Sequence, residues 1–190
     1  SLDRHLTITS DILNGEVTGA YSFNTIVPSL MQTLKGYIPA LINVTQKKQK
    51  VMENNFSLLL TIENTEAMSN TLKLPFTMLN QGRITGHYNN QYNRFRLEAY
   101  LPKFNIGKSM FESGYLTCDN PEDKVNLQLK ATNYNAKGLR NYVDLKADAK
   151  DNLIKTRIGW ANNKERLFKA DLSASTLFIE EEQEKGPARL

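Results

Sequence analysis

Cysteine and histidine are almost missing from this sequence. Its 190 residues contain one cysteine, Cys118, and two histidines, His5 and His87, which lie far apart in the chain. One cysteine cannot form an internal disulfide, and so few ligands exclude a Cys/His zinc site within one chain. Neither histidine lies in a recognisable nucleophile motif. We therefore predict no catalytic residues, no metal and no cofactor, and hence a protein that is not an enzyme.

Several other functional signatures are also missing. No stretch approaches the roughly 18 apolar residues of a membrane-spanning helix, and the N-terminus does not read as a signal peptide. The sequence has no phosphate-binding glycine loop and no carboxylate cluster of the kind that binds calcium or hydrolyses glycosides. The 24 basic residues are nearly matched by 20 acidic ones, and only one short run is purely basic. Nucleic acid is therefore not an expected partner.

What the sequence does contain is an alternation of apolar and polar residues with period two, which indicates strands with one buried and one wet face. The alternation runs through 56–62, 95–101, 125–131, 143–149, 154–160 and 168–174. Clusters of Asn, Asp, Pro and Gly at 89–90, 119–121, 135–138, 151–152 and 162–163 separate these segments, so we predict short turns and an antiparallel meander. Leu6 and Ile8 alternate with threonines at the start, which suggests a strand there and a fragment of a longer protein.

One segment has a helical period instead. Apolar residues at three-and-four spacing predict an amphipathic helix near 26–43, whose apolar stripe is Ile26, Leu30, Leu34, Ile38 and Leu41. Pro28 fits a first turn, whereas Pro39 should loosen the last one. Such a helix is roughly 27 Å long, while eight or more strands span nearly 40 Å, at about 4.8 Å each. The sheet must then close as a barrel or curl into a trough whose apolar inner surface stays accessible.

The domain organisation follows from the same patterns. We predict one β-unit over 1–180, with the helix inserted, and a charged tail over 181–190. The segments 14–21 and 81–88 share Gly, Thr, Gly and Tyr in register, which indicates a weak repeat of a curved-sheet unit. Glycines in those strands would let the sheet bend sharply.

The segment 13–23, LNGEVTGAYSF, followed by the helix ending YIPALI at 37–42, resembles part of the AsmA-like, TamB-type translocation and assembly proteins of Gram-negative envelopes. The later segments GRITG at 82–86 and DNLI at 151–154, leading to Trp160, are similar to the same family in style. The resemblance implies an internal slice of a membrane-anchored, periplasm-spanning protein whose β-units form a taco-shaped apolar groove. That family is linked to phospholipid movement between inner and outer membranes and to outer-membrane assembly, and no catalytic residues carry over.

The predicted fold is therefore mainly β, a long antiparallel meander curled into an open taco-like groove or half-barrel, with one amphipathic helix. The predicted function is an apolar groove segment in phospholipid transport, located in the periplasm of a Gram-negative bacterium. Expected partners are phospholipid or another acyl-chain lipid, an outer-membrane assembly partner, and further copies that associate through open sheet edges. The alternatives are a self-contained lipid or lipoprotein carrier with the helix as a lid, and a structural β-domain with a filled core.

The predicted groove lining consists of the apolar members of the alternating segments, with Trp160 and the tyrosines suited to the rim because each has an apolar body and a polar tip. The lining residues are Leu58, Leu60, Ile62, Leu97, Ala99, Leu127, Leu129, Val143, Leu145, Ile154, Ile158, Trp160, Phe168 and Leu172.

Overall fold

The computed structural model describes residues 3–40, 42, 52–134, 138–162 and 169–179. Within them the chain forms eleven strands and two helices. The strands are β1 (Arg4–Ile8), β2 (Leu13–Ala20), β3 (Asn55–Ile62), β4 (Phe76–Met78), β5 (Gly82–Asn89), β6 (Arg94–Ile106), β7 (Ser109–Asp119), β8 (Val125–Tyr134), β9 (Arg140–Lys150), β10 (Leu153–Asn162) and β11 (Lys169–Leu177), and the helices are α1 (Phe23–Lys35) and α2 (Glu66–Leu72).

All strands belong to one antiparallel sheet in the order β1-β2-β3-β5-β6-β7-β8-β9-β10-β11, and β4 pairs with the far end of β6. The predicted antiparallel meander is confirmed. The barrel alternative is wrong, because β1 and β11 stand at opposite edges of the sheet and do not pair with each other. The sheet is open.

Tight turns at polar residues set the length of each strand. Asn93, Asp123, Asp151 and Asn152 have φ between 51° and 61°, the left-handed region that Asn and Asp tolerate better than most residues. These residues lie in the β5–β6, β7–β8 and β9–β10 connections. The predicted turn clusters at 89–90, 119–121 and 151–152 therefore coincide with reversals of the chain.

Helix α1 differs from its prediction at both ends. It begins at Phe23, after the extended residue Ser22, whose carbonyl oxygen accepts hydrogen bonds from the N–H groups of Thr25 and Ile26. Pro28 therefore lies in the second turn, not the first, and leaves one helical carbonyl without its usual donor. The helix ends at Lys35 because Gly36 follows and because Pro39 has no N–H to offer to the Lys35 carbonyl.

Two features were not predicted. Helix α2 and β4 form an insertion between β3 and β5. Two hydrogen bonds of 2.9 Å hold it: the Thr65 N–H donates to the Met78 carbonyl, and the Met78 N–H donates to the Thr65 hydroxyl. Strand β7 was not predicted because its pairing register with β8 shifts between Glu112 and Tyr115, around Ser113, whose φ is 54°. That bulge moves the apolar residues from odd to even positions and so breaks the period of two.

The two echoed segments form β2 and β5, which flank β3. Gly19 has φ 123°, and a Cβ atom there would lie 2.4 Å from the carbonyl oxygen of Asn55 on β3. Gly86 serves a different purpose, because the side chain of Leu58 occupies the space beside it, with Cγ 3.0 Å from where a Cβ atom would be. The backbones approach closely at the first glycine, and a side chain fills the space at the second.

Candidate functional site

One face of the sheet carries two adjacent rows of uncharged side chains that cross ten strands. Residues paired directly across an antiparallel sheet share a face, so the register defines each row. We call these two rows the floor. The floor consists of Leu6, Val17, Leu58, Gly86, Leu97, Cys118, Leu127, Ala147, Thr156 and Ala174 in one row, and Ile8, Gly15, Leu60, Ile84, Ala99, Leu116, Leu129, Leu145, Ile158 and Leu172 in the other.

The opposite face of the same strands is polar. The row behind the first floor row consists of His5, Thr18, Ser57, His87, Arg96, Asp119, Asn126, Asp148, Lys155 and Ser175. Charged pairs lie along this face, such as Arg157 and Asp171, whose Nη2 and Oδ2 atoms are 3.3 Å apart. Both side chains of this pair are partly exposed, so this face is the one in contact with water. Exposed pairs of this kind contribute little stability. The apolar face needs either a second layer or a ligand.

Helix α1 covers one side of the floor, which we call the helix margin. Ile26 and Leu30 of the helix pack against a buried cluster of Tyr21, Phe56 and Tyr88. The Tyr88 hydroxyl also lies 2.6 Å from Ser29 Oγ and 3.1 Å from Thr33 Oγ1, so the buried phenol is hydrogen-bonded to the helix. These contacts fix α1 across β3 and β5.

The chain after α1 continues along the same side of the sheet. Asn120 Nδ2 donates a hydrogen bond of 2.7 Å to the hydroxyl of Tyr37. Asn152, in the β9–β10 turn, donates its backbone N–H to the Tyr37 carbonyl and accepts a bond of 2.8 Å from the N–H of Ala40 through Oδ1. The segment 23–40 therefore runs from β2 to the β9–β10 turn and closes the helix margin.

An aromatic cluster covers the other side of the floor, which we call the aromatic margin. Met78 and Phe104 are fully buried there, and Phe104 stacks on Phe111 with ring centroids 5.4 Å apart. Gly114 makes this possible, because a Cβ atom at that position would lie 2.6 Å from the Phe104 ring. The partly buried Ile62 and Leu101 complete the cluster.

Between the two margins the floor is not covered by either cluster. Leu60, Ile84, Leu116, Leu129 and Leu145 are half-buried, and none belongs to the cluster of either margin. The floor thus forms a groove walled on two sides. Nine strand spacings of about 4.8 Å make it roughly 43 Å long.

The groove becomes more open towards β11. The exposed fraction of the residue is 37% at Ile158, 39% at Trp160 and 68% at Leu172. The aromatic margin includes Ala131 of β8 but no residue of β9, β10 or β11. Within the described residues, the wall on that side therefore stops near β8, and no cluster covers the apolar side chains of the last three strands.

Most of the predicted lining residues are brought together in the floor. Leu58 also contacts the helix margin, whereas Ile62 belongs to the aromatic margin, and Val143 and Trp160 lie in the row beside the floor. Ile154 lies in the row on the helix side, and Phe168 is outside the described residues. The floor residues Leu60, Leu97, Ala99, Leu127, Leu129, Leu145, Ile158 and Leu172 were all predicted.

The predicted helix stripe and the predicted rim need correction. Ile26, Leu30 and Leu34 lie on α1, but Ile38 lies beyond its end, and Leu41 is outside the described residues. The tyrosines do not form a rim as a group. Tyr21, Tyr37 and Tyr88 are buried under or beside α1, and Tyr100, Tyr115 and Tyr142 are exposed on the polar face. The half-exposed Trp160 has the expected character.

The floor contains Cys118, which lies near the end of β7 between Leu97 and Leu127. Burial raises the pKa of its thiol, because the thiolate is poorly solvated there, and the negative charge of Asp119 raises the pKa further. The thiol is therefore protonated and weakly reactive at neutral pH. It behaves as a small apolar side chain of the groove.

The titratable groups of the polar face do not converge. His87 Nδ1 lies 3.3 Å from Ser57 Oγ, in an exposed position, and the residue paired with His87 on β6 is Arg96. Within the described residues, no group of three or more His, Cys, Asp or Glu side chains could hold a metal ion. The two histidines share a row but are separated by β2 and β3.

A half-open recess of about 510 Å³ lies on the polar side near the ends of β8 to β11. It is lined by Gly159 and by the cations Lys130, Lys146, Arg157 and Lys169, together with acidic residues. Two of these cations already face carboxylates. Lys146 Nζ lies 4.0 Å from Asp144 Oδ2, and Arg157 pairs with Asp171. The recess is therefore part of the mixed-charge outer surface.

Comparisons with protein-family models, with curated proteins and with solved structures found no match to this chain. Among the residues that the structure describes, neither helix is long and apolar enough to cross a membrane.

Proposed function

We propose that the floor binds the acyl chains of phospholipid or another acyl-chain lipid, and that the protein acts without catalysis in lipid transport. The observation that carries this proposal is the pair of uncharged rows that cross ten strands between two covered margins. An acyl chain has nothing to hydrogen-bond, so a continuous apolar surface is a sufficient site for it, and each buried methylene contributes about 0.8 kcal/mol. A polar headgroup can stay in water at the open side.

The length of the floor is sufficient for more than one acyl chain. An acyl chain extends across half of a hydrocarbon core that is about 30 Å thick, so it is roughly 15 Å long. The floor, at roughly 43 Å, is nearly three times that length. Lipids could therefore occupy successive positions along the floor, which is the arrangement that a conduit needs.

The resemblance to AsmA-like, TamB-type proteins gives this activity a cellular setting. The proposal is that the chain belongs to the periplasm of a Gram-negative bacterium and contributes to phospholipid movement between the inner and outer membranes or to outer-membrane assembly. The open sheet and its apolar floor have the character that the resemblance implies. A self-contained carrier would instead require a lid, whereas α1 packs only along the helix margin.

The first test is native mass spectrometry, with lipid extraction, on protein purified from bacteria without detergent. We expect co-purifying phospholipid or fatty acid, with more than one molecule on some chains. A lipid-free protein that also fails to take up added lipid would refute the proposal and favour a filled β-domain.

A matched pair of variants tests the site itself. Leu127 and Leu145 lie in adjacent floor rows, whereas Asn126 and Gln128 flank Leu127 in sequence and face the polar side. We expect L127E with L145E, and equally L127R with L145R, to lower bound lipid at least tenfold. The same charges at 126 and 128 should leave it unchanged.

Using both signs of charge separates two kinds of site. A headgroup site would lose lipid with one sign and gain it with the other, whereas an apolar floor loses lipid with both. Circular dichroism must show that the floor variants remain folded. If either floor pair unfolds the protein while the control pair does not, these positions belong to a packed core.

A further inference from the structure

The outer end of the aromatic margin is exposed. It consists of the segments 72–76, after α2, and 106–108, at the β6–β7 turn, and every residue of both segments is exposed. The Gly107 N–H donates a hydrogen bond of 2.7 Å to the Pro75 carbonyl, which holds the two segments side by side. We call the two segments together the tip.

The apolar face of the sheet continues into the tip. Phe76 pairs with Ile106, next to the pair of Met78 and Phe104 that is buried in the aromatic margin. Alternate residues of a strand share a face, so Phe76 and Ile106 lie on the same side of the sheet as the floor. The rings of Phe76 and Phe104 are also in contact, with centroids 5.8 Å apart. Among the described residues, the tip is therefore the uncovered end of a continuous apolar layer.

Four large apolar residues are exposed at the tip. The exposed fraction of the residue is 61% at Leu72, 43% at Leu74, 37% at Phe76 and 47% at Ile106. Single apolar residues are normal at a protein surface, whereas a group of them with a polar rim marks an interaction site.

The charge around the tip has one sign. The segments 67–80 and 101–111, which contain the tip, have three lysines and no Asp or Glu. One of these lysines pairs with Glu112. The other two, Lys73 and Lys108, are exposed and form no ion pair with another described residue. The tip therefore presents free positive charge beside its apolar side chains.

Lys73 lies where the backbone favours a different residue. Its φ is 55°, in the left-handed region at the C-cap of α2, where glycine is the usual residue. Lysine adopts this conformation at a steric cost that glycine avoids, because glycine has no Cβ atom. The residue type is therefore explained by its charge and not by the turn.

We propose that the tip docks on the surface of a bilayer that contains anionic phospholipid. The apolar side chains would enter the boundary between headgroups and acyl chains, and Lys73 and Lys108 would lie against phosphates. Charge complementarity favours this occupant, because each lysine close to an anionic bilayer strengthens binding by about fivefold. A second exposed apolar strip, at Val27 and Met31, lies on a helix whose first charged residue is Lys35, and it provides a matched comparison.

This inference goes beyond the proposed function, since it concerns contact with a membrane and not lipid on the floor. Ala99 of the floor precedes Ile106 by seven positions on β6, which is roughly 23 Å at about 3.3 Å per residue. Amphipathic surface contacts reach about 5 to 10 Å into a bilayer. The tip can therefore dock while the floor stays outside the bilayer, and either activity can fail without the other.

Vesicle flotation tests the docking and its charge. The vesicles contain phosphatidylcholine alone or mixed with phosphatidylglycerol, and we expect the protein to float with the mixed vesicles, less so at high salt. K73E with K108E should lower the partition coefficient by roughly thirtyfold or more, because two attracted lysines become two repelled carboxylates. K150E with K155E, at two exposed lysines of β9 and β10, gives the same change in net charge and should lower it far less.

A second matched pair tests the apolar side chains. We expect L72S with L74S to lower flotation by roughly tenfold or more, because both side chains lose their burial in the bilayer. V27S with M31S removes the exposed strip of α1 and should leave flotation unchanged. Circular dichroism must show that both pairs remain folded.

A fluorescent reporter locates the contact while keeping the tip apolar. In a W160F background, which removes the only tryptophan, a new tryptophan is placed at position 74 of the tip or at position 27 of α1. We expect the emission of L74W to shift to shorter wavelength when anionic vesicles are added, because the indole leaves water. The emission of V27W should stay unchanged.

The floor variants separate this proposal from the proposed function. L127E with L145E should lose the lipid of the floor and still float with anionic vesicles, whereas K73E with K108E should keep the lipid and lose flotation. If the floor pair abolished flotation, the membrane contact would belong to the floor and the proposal would be wrong.

Three further outcomes would overturn the proposal. One is the absence of flotation with anionic vesicles. Another is an equal loss of flotation for the tip and control lysines. The last is association of the lipid-free protein that L72S with L74S abolishes, because a second copy would then be the occupant of the tip.

Discussion

Asn120 joins three parts of the structure through one buried side chain, and its removal gives a sharp prediction. It is 1% exposed, and its Nδ2 donates to the Tyr37 hydroxyl at 2.7 Å and to the Asn93 carbonyl at 2.6 Å. Its Oδ1 accepts the N–H of Phe95 at 2.8 Å. The side chain therefore ties the segment after α1 to the β5–β6 turn and to the end of β7.

The expected cost follows from these contacts. N120A deletes three hydrogen bonds, each with a net contribution of about 1 kcal/mol, and deprives the Phe95 N–H of its acceptor. We expect the free energy of unfolding to fall by about 3 kcal/mol. Y37F removes the hydroxyl that accepts hydrogen bonds from Asn120 Nδ2 at 2.7 Å and from Asn93 Nδ2 at 3.3 Å, while Asn120 keeps its bonds to Asn93 and Phe95. We expect it to cost about 1 to 2 kcal/mol.

Urea unfolding followed by circular dichroism and by the fluorescence of Trp160, the only tryptophan, measures both variants. At about 2 to 4 °C per kcal/mol for a chain of this length, Tm should fall by roughly 6 to 12 °C for N120A. The double variant should cost less than the sum of the single ones, because both remove the same bond. A cost of N120A no greater than that of Y37F, or strict additivity of the two effects, would contradict the contacts described for Asn120.

Three further predictions concern the margins and the floor. F104A should lower the free energy of unfolding, measured by calorimetry, by about 3 to 5 kcal/mol, because the ring is fully buried. F76A, at a more exposed ring, should lower it clearly less, and equal costs would contradict the packing described. Y88F should lower the free energy of unfolding by about 1 to 2 kcal/mol and still bind lipid, and loss of lipid would place Tyr88 in the site. The pKa of Cys118 is raised in the folded protein, so the thiol contributes stability that is fully present below the unfolded pKa and is lost as pH rises through the folded one. Alkylation near pH 8 should therefore be slower in the folded protein than in urea, and C118A should lack the alkaline loss of stability; equal alkylation rates would refute the buried position.

The strands of the second half of the chain could be predicted from the sequence because their information is local. In 125–131 and 143–149, strict alternation predicts which side chains share a face, and the turn residues between the two segments indicate where the chain reverses. Single departures from the period defeated the same reasoning. One bulge at Ser113 shifts the parity of β7, and the prediction missed that strand.

The composition of the apolar face was thus determined by the sequence, whereas its accessibility was decided by the tertiary structure. The alternation of apolar and polar residues predicts most of the floor residues but does not predict which segments cover them. Coverage depends on contacts between distant residues, such as Tyr37 with Asn120, which are 83 positions apart, and Met78 with Phe104. Among the residues that the structure describes, those contacts close the two margins and leave the middle of the sheet open, because burial depends on which segments meet in space and not on the order of residues along a strand.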